Sequence, residues 1–406
     1  MSLPKVFIVG AKRTPFGAFG GKLLNFTATD LAVHASKEAL SSAKVPASAV
    51  GASHWGNVAQ TSADAAYISR HAGLRSGLPL SSTALTVNRL CGSGFQSAIS
   101  AAHEFSCGDN TTGLALCGGA ESMSQSPLSV WGQNARFGHK FGTDLSLVDT
   151  LWQALTDAHV KLPMGHTAEE LGLRFGITRE MCDAYAARSQ SRWVAAHKAG
   201  LLAASIAPMT LPGKRGSTEH FDTDEHPRPA TTPETLAKLP PVFKKDGGLV
   251  TAGTASGICD GAAALVLATE AAVKEHGLTP LARLVGWSTV GVDPRIMGIG
   301  PSPAIRALLS RSKLSMADIG AIEVNEAFAA QVLAVAKDLS LDSADPRLNA
   351  LGGAIALGHP LGASGARILG LLAHGLAADK NGGKRYAIGS ACIGGGQGTA
   401  VLLERV

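Results

Sequence analysis

Asn88-Arg89-Leu90-Cys91-Gly92-Ser93-Gly94-Phe95 decides how this chain is read. A short apolar stretch, residues 84–90, runs into a cysteine. A small glycine-rich turn follows. Then Phe95, Ala98, Ile99 and Ala102 recur at the three- and four-residue spacing of one helix face. The pattern places Cys91 where a strand hands over to a helix running to about Phe105. A sulfur there faces unsatisfied backbone N–H groups and the positive end of a helix dipole. Both favour thiolate over thiol, and the thiolate is the nucleophile. The glycines leave room for a substrate to approach the backbone. Taken alone, Cys91 reads equally well as a small buried hydrophobe, so the decision passes to the rest of the chain.

Working outward, residues 5–9 read as a buried strand. Thr27-Ala-Thr-Asp30 starts a helix with Leu31, Ala35 and Ala39 on its buried face, ending near Lys44. Leu114–Cys117 is a strand ending in Gly118-Gly-Ala-Glu-Ser-Met123. Strand, helix, strand, helix predicts an α/β fold with parallel strands. Between about 122 and 250 the sequence is more charged, with a helix at 178–199 and a proline-rich stretch at 226–241. Its cations include Lys214, Arg215, Arg228, Lys244 and Lys245. This segment reads as a large insertion whose loops hold a ligand, most single charges being ordinary solvated surface. Residues 261–268 return the chain to the core. A second α/β pattern follows: helix 305–309, strand 321–324, helix 327–339.

The second half echoes the first. Cys91-Gly-Ser-Gly94 precedes a helix, and so does His359-Pro-Leu-Gly-Ala-Ser-Gly365. Leu114–Gly119 has a counterpart in Tyr386–Gly396. The halves read as two copies of one α/β unit.

Size and composition narrow the class. A chain of 406 residues suggests two to three domains. Charged residues are 17%, few enough to imply extensive buried surface and a homo-oligomer. The net charge of +5 is mild and no basic block is present, which favours a small anionic partner over nucleic acid. None of the six cysteines forms a Cys-x-x-Cys pair, so neither zinc nor a disulfide framework is indicated. Reduced thiols fit an intracellular compartment. No run approaches a membrane span. Val6–Val9 already reads as strand, which predicts no cleavable presequence.

Three further stretches join Cys91. Val324-Asn325-Glu326-Ala327-Phe328 lies at a strand–helix junction, where Asn325 would by default cap the helix. Gly358-His359-Pro360 braces an imidazole rigidly at a turn. Ser390-Ala-Cys392-Ile-Gly394-Gly-Gly-Gln-Gly398 puts another cysteine at a strand end, before glycines that offer N–H groups to an oxyanion.

With these stretches, and with Arg13-Thr-Pro-Phe-Gly17, the chain resembles the thiolase family from end to end. Leu155–Met164, Asp224–Pro229 and Leu239–Asp246 carry a narrower likeness to the 3-ketoacyl-CoA branch, the mitochondrial β-oxidation enzymes. Pro163 stands where many acetoacetyl-CoA thiolases have His.

The resemblance implies two duplicated halves in a five-layer α-β-α-β-α sandwich. They are 1–121 plus 251–275, and 276–406, with an inserted CoA-binding loop domain at 122–250. It implies a homotetramer of the mitochondrial matrix, with the cytoplasm as the alternative. It implies no metal and no tightly bound cofactor, with coenzyme A as substrate. Cys91 would attack the 3-keto carbonyl after losing its proton to His359. Backbone N–H groups of Cys91 and Gly394 would hold the oxyanion. His359 and a water positioned by Asn325 would hold the departing acetyl-CoA enolate, and Cys392 would protonate it. Arg228 and Thr231 would lie near the nucleotide of CoA, Ser256 and Met164 near its pantetheine, and Met297 and Phe328 along an acyl pocket. The remaining cysteines, Cys107, Cys117, Cys182 and Cys259, read as core. The rivals are acetoacetyl-CoA synthesis by Claisen condensation on the same fold, a ketoacyl synthase, a non-catalytic CoA- or lipid-binding module, and a dehydrogenase. The glycine clusters lack the dinucleotide fingerprint of the last.

Overall fold

The computed structural model describes residues 4–213, 216–380 and 382–406; Lys214 and Arg215 lie outside the described residues. Nine of its strands run in line: β1 (Val6–Arg13), β2 (Ala52–Gly56), β3 (Thr83–Val87), β4 (Leu114–Ser122), β5 (Cys259–Thr269), β6 (Ala282–Gly291), β7 (Ile319–Val324), β8 (Tyr386–Ile393) and β9 (Gln397–Glu404). Their order is β7-β8-β9-β6-β1-β5-β4-β2-β3, and the short Gly17–Ala18 strand adds to β5.

The sheet is mixed, not parallel as expected. β1 and β4 each pair antiparallel with β5 between them, and β2 lies parallel outside β4. β6, β9 and β8 repeat that pattern, with β7 parallel outside. The reason is local. β8 and β9 are joined by a tight glycine turn, which only antiparallel neighbours allow; Gly395 (φ +77°) and Gly396 (φ +86°) supply its left-handed backbone. β3, beside β2, has as its counterpart a single parallel bridge, Ile322 to Leu348, beside β7. The two halves join through a short β1–β6 ladder: Val6 with Leu284, Phe7 with Arg283, Ile8 with Ala282.

Seven helices matter here: α1 (Ala28–Ala43), α2 (Ser93–Cys107), α3 (Met164–Arg174), α4 (Arg179–Lys198), α5 (Pro301–Ser312), α6 (Ala329–Asp338) and α7 (Leu361–Ala377). Thr27 and Asp30 form the expected capping box on α1. Strand alternation divides the core. Phe7, Val9 and Val266 face outward under Leu31, Ala35 and Ala39 of α1. Ile8, Leu265 and Leu267 face inward, with Phe95 and Ile99 of α2 and Ile368 and Leu372 of α7. Ile322, Ile388 and Leu402 lie under Ile305 and Leu308 of α5 and Val332 of α6. The layers are therefore α1, first-half strands, α2 with α7, second-half strands, α5 with α6: the five-layer α/β sandwich.

The central pair positions the site. A Cβ on Gly94 would lie 2.5 Å from Ala366 N and 2.8 Å from Gly362 O. One on Gly365 would lie 2.3 Å from Phe95 N. Glycine on both helices lets α2 and α7 cross backbone to backbone at their first turns. Cys91 stands two residues before α2 and His359 two residues before α7. The crossing thus brings together two residues from opposite halves.

Three local expectations are corrected. β3 stops at Val87, so a turn separates it from Cys91. β4 continues past Cys117 to Ser122, because its glycines pair with β5. Cys107 is exposed at the last turn of α2, while Cys117, Cys182 and Cys259 are buried. The inserted segment is tied to the first strand by a buried bidentate pair, Arg13 to Asp224, at 2.6 and 2.9 Å. Phe16 N and Trp193 Nε1 also donate to Asp224. Burial opposes that carboxylate's charge, but Arg13 outweighs it and holds the pKa below the usual value.

Candidate active site

The Cys91 turn is built from its neighbours. Ser93 Oγ accepts from Arg89 N (2.9 Å) and donates to Leu90 O (2.7 Å). Leu90 takes a left-handed φ of +47°, a strained conformation for a bulky side chain. The β8–β9 turn of the other half packs on it. A Cβ on Gly92 would lie 2.6 Å from Ile393 Cδ1, and one on Gly394 3.0 Å from Leu90 Cδ1. The backbone N–H groups of Gly394 and of Cys91 itself favour the thiolate.

Burial nevertheless pushes the Cys91 thiol up to about 11, with the Glu121 charge adding to it and the two N–H groups opposing. The expected resting thiolate is corrected: desolvation outweighs the field of the helix end. Cys392, at the end of β8, is fully buried among Met297 and Ala327, against Met164 and Phe328. Burial drives its thiol well above the ordinary range, and the charge of a Cys91 thiolate would raise it further. The two sulfurs are thus electrostatic neighbours.

His359 is 5% exposed. Its position depends on Gly358, whose φ of +98° suits glycine and whose Cβ would lie 2.6 Å from Cys259 Sγ. Ser364 Oγ donates to Pro360 O at 3.1 Å and lies 2.6 Å from His359 Nδ1. With its one proton so used, the hydroxyl accepts from Nδ1–H. That assigns the tautomer and leaves the lone pair on Nε2. Asn325 Nδ2 sits 3.2 Å from Nε2. Burial, assisted by the Arg367 charge, lowers the imidazole pKa to about 3, so the ring is neutral. The Asn325 side chain does not cap α6, the default reading; its backbone N donates to Ser390 O (2.9 Å), tying the β7 end to β8. Asn325 Oδ1 is buried without a hydrogen-bond partner among the described residues. Its neighbour Glu326 is locked by Tyr185 (2.9 Å), Ser189 (2.7 Å) and the Ile355 N–H (3.1 Å), which anchors the motif to α4.

Cys91 and His359 open on one cavity of about 450 Å³, with Met164, Ser256, Met297 and Phe328 in its wall. Pro163 lines it too, and Trp152 stacks on Phe243 across it, ring centroids 6.5 Å apart and 8° from parallel. Cys392 lies behind this wall. Arg228 and Thr231 do not line the cavity. The Arg228 guanidinium folds back on its own loop, donating to the carbonyls of Glu225, His226 and Pro227. Ser364 is the residue the motif reading passed over. Its signal was its place five residues after His359, at the end of the first turn of a helix whose start must face the imidazole.

The glycine crossing of α2 and α7 thus brings two thiols, a neutral imidazole and a buried amide from both halves to one region. The chain belongs to the thiolase family: residues 6–271 match Thiolase, N-terminal domain, and residues 278–405 match Thiolase, C-terminal domain. It is 56% identical over 399 residues to 3-ketoacyl-CoA thiolase, mitochondrial, of Rattus norvegicus, covering 98% of each chain. Human mitochondrial 3-ketoacyl-CoA thiolase has a crystal structure that superposes with a TM-score of 0.95 at 54% identity, covering all of both chains. The same human enzyme in complex with CoA gives a TM-score of 0.94 at 54% identity, covering 100% of this chain and 98% of that one.

Proposed function

We propose that this protein is a degradative 3-ketoacyl-CoA thiolase. It cleaves a 3-ketoacyl-CoA with CoA, giving acetyl-CoA and an acyl-CoA two carbons shorter. The observation that carries the reading is the meeting of Cys91, His359, Asn325 and the Cys392–Gly394 turn, drawn from both halves, beside one apolar cavity.

The resting pair is a neutral thiol and a neutral imidazole. The proton therefore passes from Cys91 to His359 Nε2 as sulfur attacks the keto carbon, and Ser364 steadies the imidazolium through Nδ1. The N–H groups of Cys91 and Gly394 receive the oxyanion. Collapse breaks the Cα–Cβ bond and leaves acyl-Cys91. The enolate oxygen of acetyl-CoA is held by His359 and by a water that the unpartnered Asn325 Oδ1 orients. Cys392 gives its proton to the enolate carbon, regains one from incoming CoA, and the CoA thiolate cleaves the acyl thioester. Two sulfurs suit two tasks, one forming bonds to carbon and one moving protons.

Ser256 and Met164 face the pantetheine arm, and Met297 and Phe328 border the acyl chain. Arg228 and Thr231 serve the nucleotide end, outside the cavity. The first half spans 1–121 with 251–275, the second 276–406, and 122–250 is the loop domain. Subunits associate as a homotetramer. The exposed edge of β3 at Thr83–Leu85 and the exposed Leu128, Trp131, Phe137 and Phe141 support association. The mitochondrial matrix is the compartment; relatives named for that organelle support it.

The deciding assay compares thiolysis of acetoacetyl-CoA and 3-ketohexadecanoyl-CoA. Cleavage of both supports the reading. Activity confined to acetoacetyl-CoA overturns it in favour of acetoacetyl-CoA synthesis.

A further inference from the structure

We propose that Glu121 is a positioning residue: it caps the His359-bearing helix from the opposite half of the molecule and so aligns the imidazole on Cys91.

A helix leaves its first N–H groups without partners. At α7 the N-cap is Pro360, which has no side-chain hydrogen bond to offer. The partner comes from far along the chain. Glu121, one residue from the end of β4, accepts from Gly362 N at 3.1 Å. The same carboxyl accepts from Val58 N at 2.6 Å, Ala59 N at 3.1 Å and Asn57 Nδ2 at 3.5 Å. All four partners are donors, and the side chain is fully buried. One carboxylate thus gathers the end of β4, the loop after β2 and the first turn of α7.

The surrounding backbones leave that turn no slack. A Cβ on Gly119 would lie 1.8 Å from Gly362 O, and one on Gly362 would lie 2.7 Å from Gly56 O and 2.8 Å from Glu121 Oε1. His359 stands three residues before Gly362. Where the turn sits, the ring sits. Burial raises the carboxyl pKa to about 8, with the Val58, Ala59 and Gly362 N–H groups opposing it; the four donors, not the charge, hold the side chain in place.

The inference rests on the reading that His359 acts on Cys91, and the experiment separates the two. Thiolysis kcat and KM for CoA are measured for the wild type, Glu121→Gln, Glu121→Asp, His359→Ala and the Glu121→Gln/His359→Ala double variant, with thermal unfolding of each. Glu121→Gln puts an amide donor against the Ala59 N–H. Glu121→Asp keeps the carboxyl group but loses a methylene of reach. Each is expected to lower kcat about ten- to hundredfold, the effect of a roughly ångström-scale misplacement, with KM changed less than about threefold. The double variant is expected to be no slower than His359→Ala alone, because a residue that acts through the imidazole has nothing left to align. Costs that multiply in the double variant overturn the proposal, as does an Asp variant with wild-type kcat. A His359→Ala variant with near wild-type turnover overturns the catalytic reading instead.

Discussion

Removing the Ser364 hydroxyl tests the imidazole geometry at one atom. In Ser364→Ala the His359 Nδ1–H loses the acceptor that lies 2.6 Å away, at a position where Ser364 is 1% exposed. A hydrogen bond to a charged group is worth about 1.5–3 kcal/mol, and His359 becomes charged only when it takes the Cys91 proton. The loss therefore falls on the transition state. At about 1.4 kcal/mol per tenfold, kcat falls roughly ten- to 150-fold. KM for the thioester stays near its wild-type value, because Ser364 is not in the cavity wall. Ser364→Thr, which keeps the hydroxyl, retains most of the rate. Steady-state thiolysis followed at the 3-ketoacyl thioester absorbance gives both constants. A Ser364→Ala enzyme within about threefold of wild-type kcat, a difference below about 0.7 kcal/mol, would refute the tautomer and the role built on it.

The sulfurs have separable phenotypes: Cys91→Ser abolishes acyl-enzyme labelling by a substrate, whereas Cys392→Ala forms some adduct without turning over, as mass spectrometry of the quenched enzyme will report. Normal turnover by Cys392→Ala would remove it from the proton path. Gly358→Ala combines a φ of +98° with a Cβ 2.6 Å from Cys259 Sγ; the strain and overpacking cost about 2–5 kcal/mol, read as a lower denaturant midpoint at unchanged slope. Acid sensitivity has a defined sign. His359 is held neutral with a pKa of about 3, against about 6.5 in an unfolded chain. The unfolded state alone binds this proton between those values, so the stability His359 contributes is complete above about pH 6.5 and is lost as pH falls toward 3. His359→Gln flattens that limb of the stability–pH curve; an unchanged slope would contradict the buried neutral ring.

Much of this was legible in the sequence because it is written in short-range terms. The Thr27 cap, the α2 face beginning at Phe95 and the helix starting at Arg179 depend on neighbours a few residues away. The glycine-flanked cysteines and Gly358-His359-Pro360 marked the strand and helix ends that converge. What stayed hidden depends on distant partners. Strand direction followed from the tight β8–β9 turn and from β4 pairing with β5 across the insertion, which periodicity does not report. The Cys91 protonation state turned on burial by the opposite half. Ser364 and Glu121 looked like ordinary helix and strand residues until the fold placed one on an imidazole and the other on a helix end.

The crossing of α2 and α7 near the join between the halves has a consequence for the history of such a chain. Two identical copies of the repeating unit, related by a twofold axis, would set each element against its own likeness: thiol turn facing thiol turn, or imidazole turn facing imidazole turn. A nucleophile opposite its base arises only once the copies differ. The divergence of Cys91-Gly-Ser-Gly from His359-Pro-Leu-Gly is therefore a condition of the chemistry, and a lone half, paired with itself, is inert by symmetry.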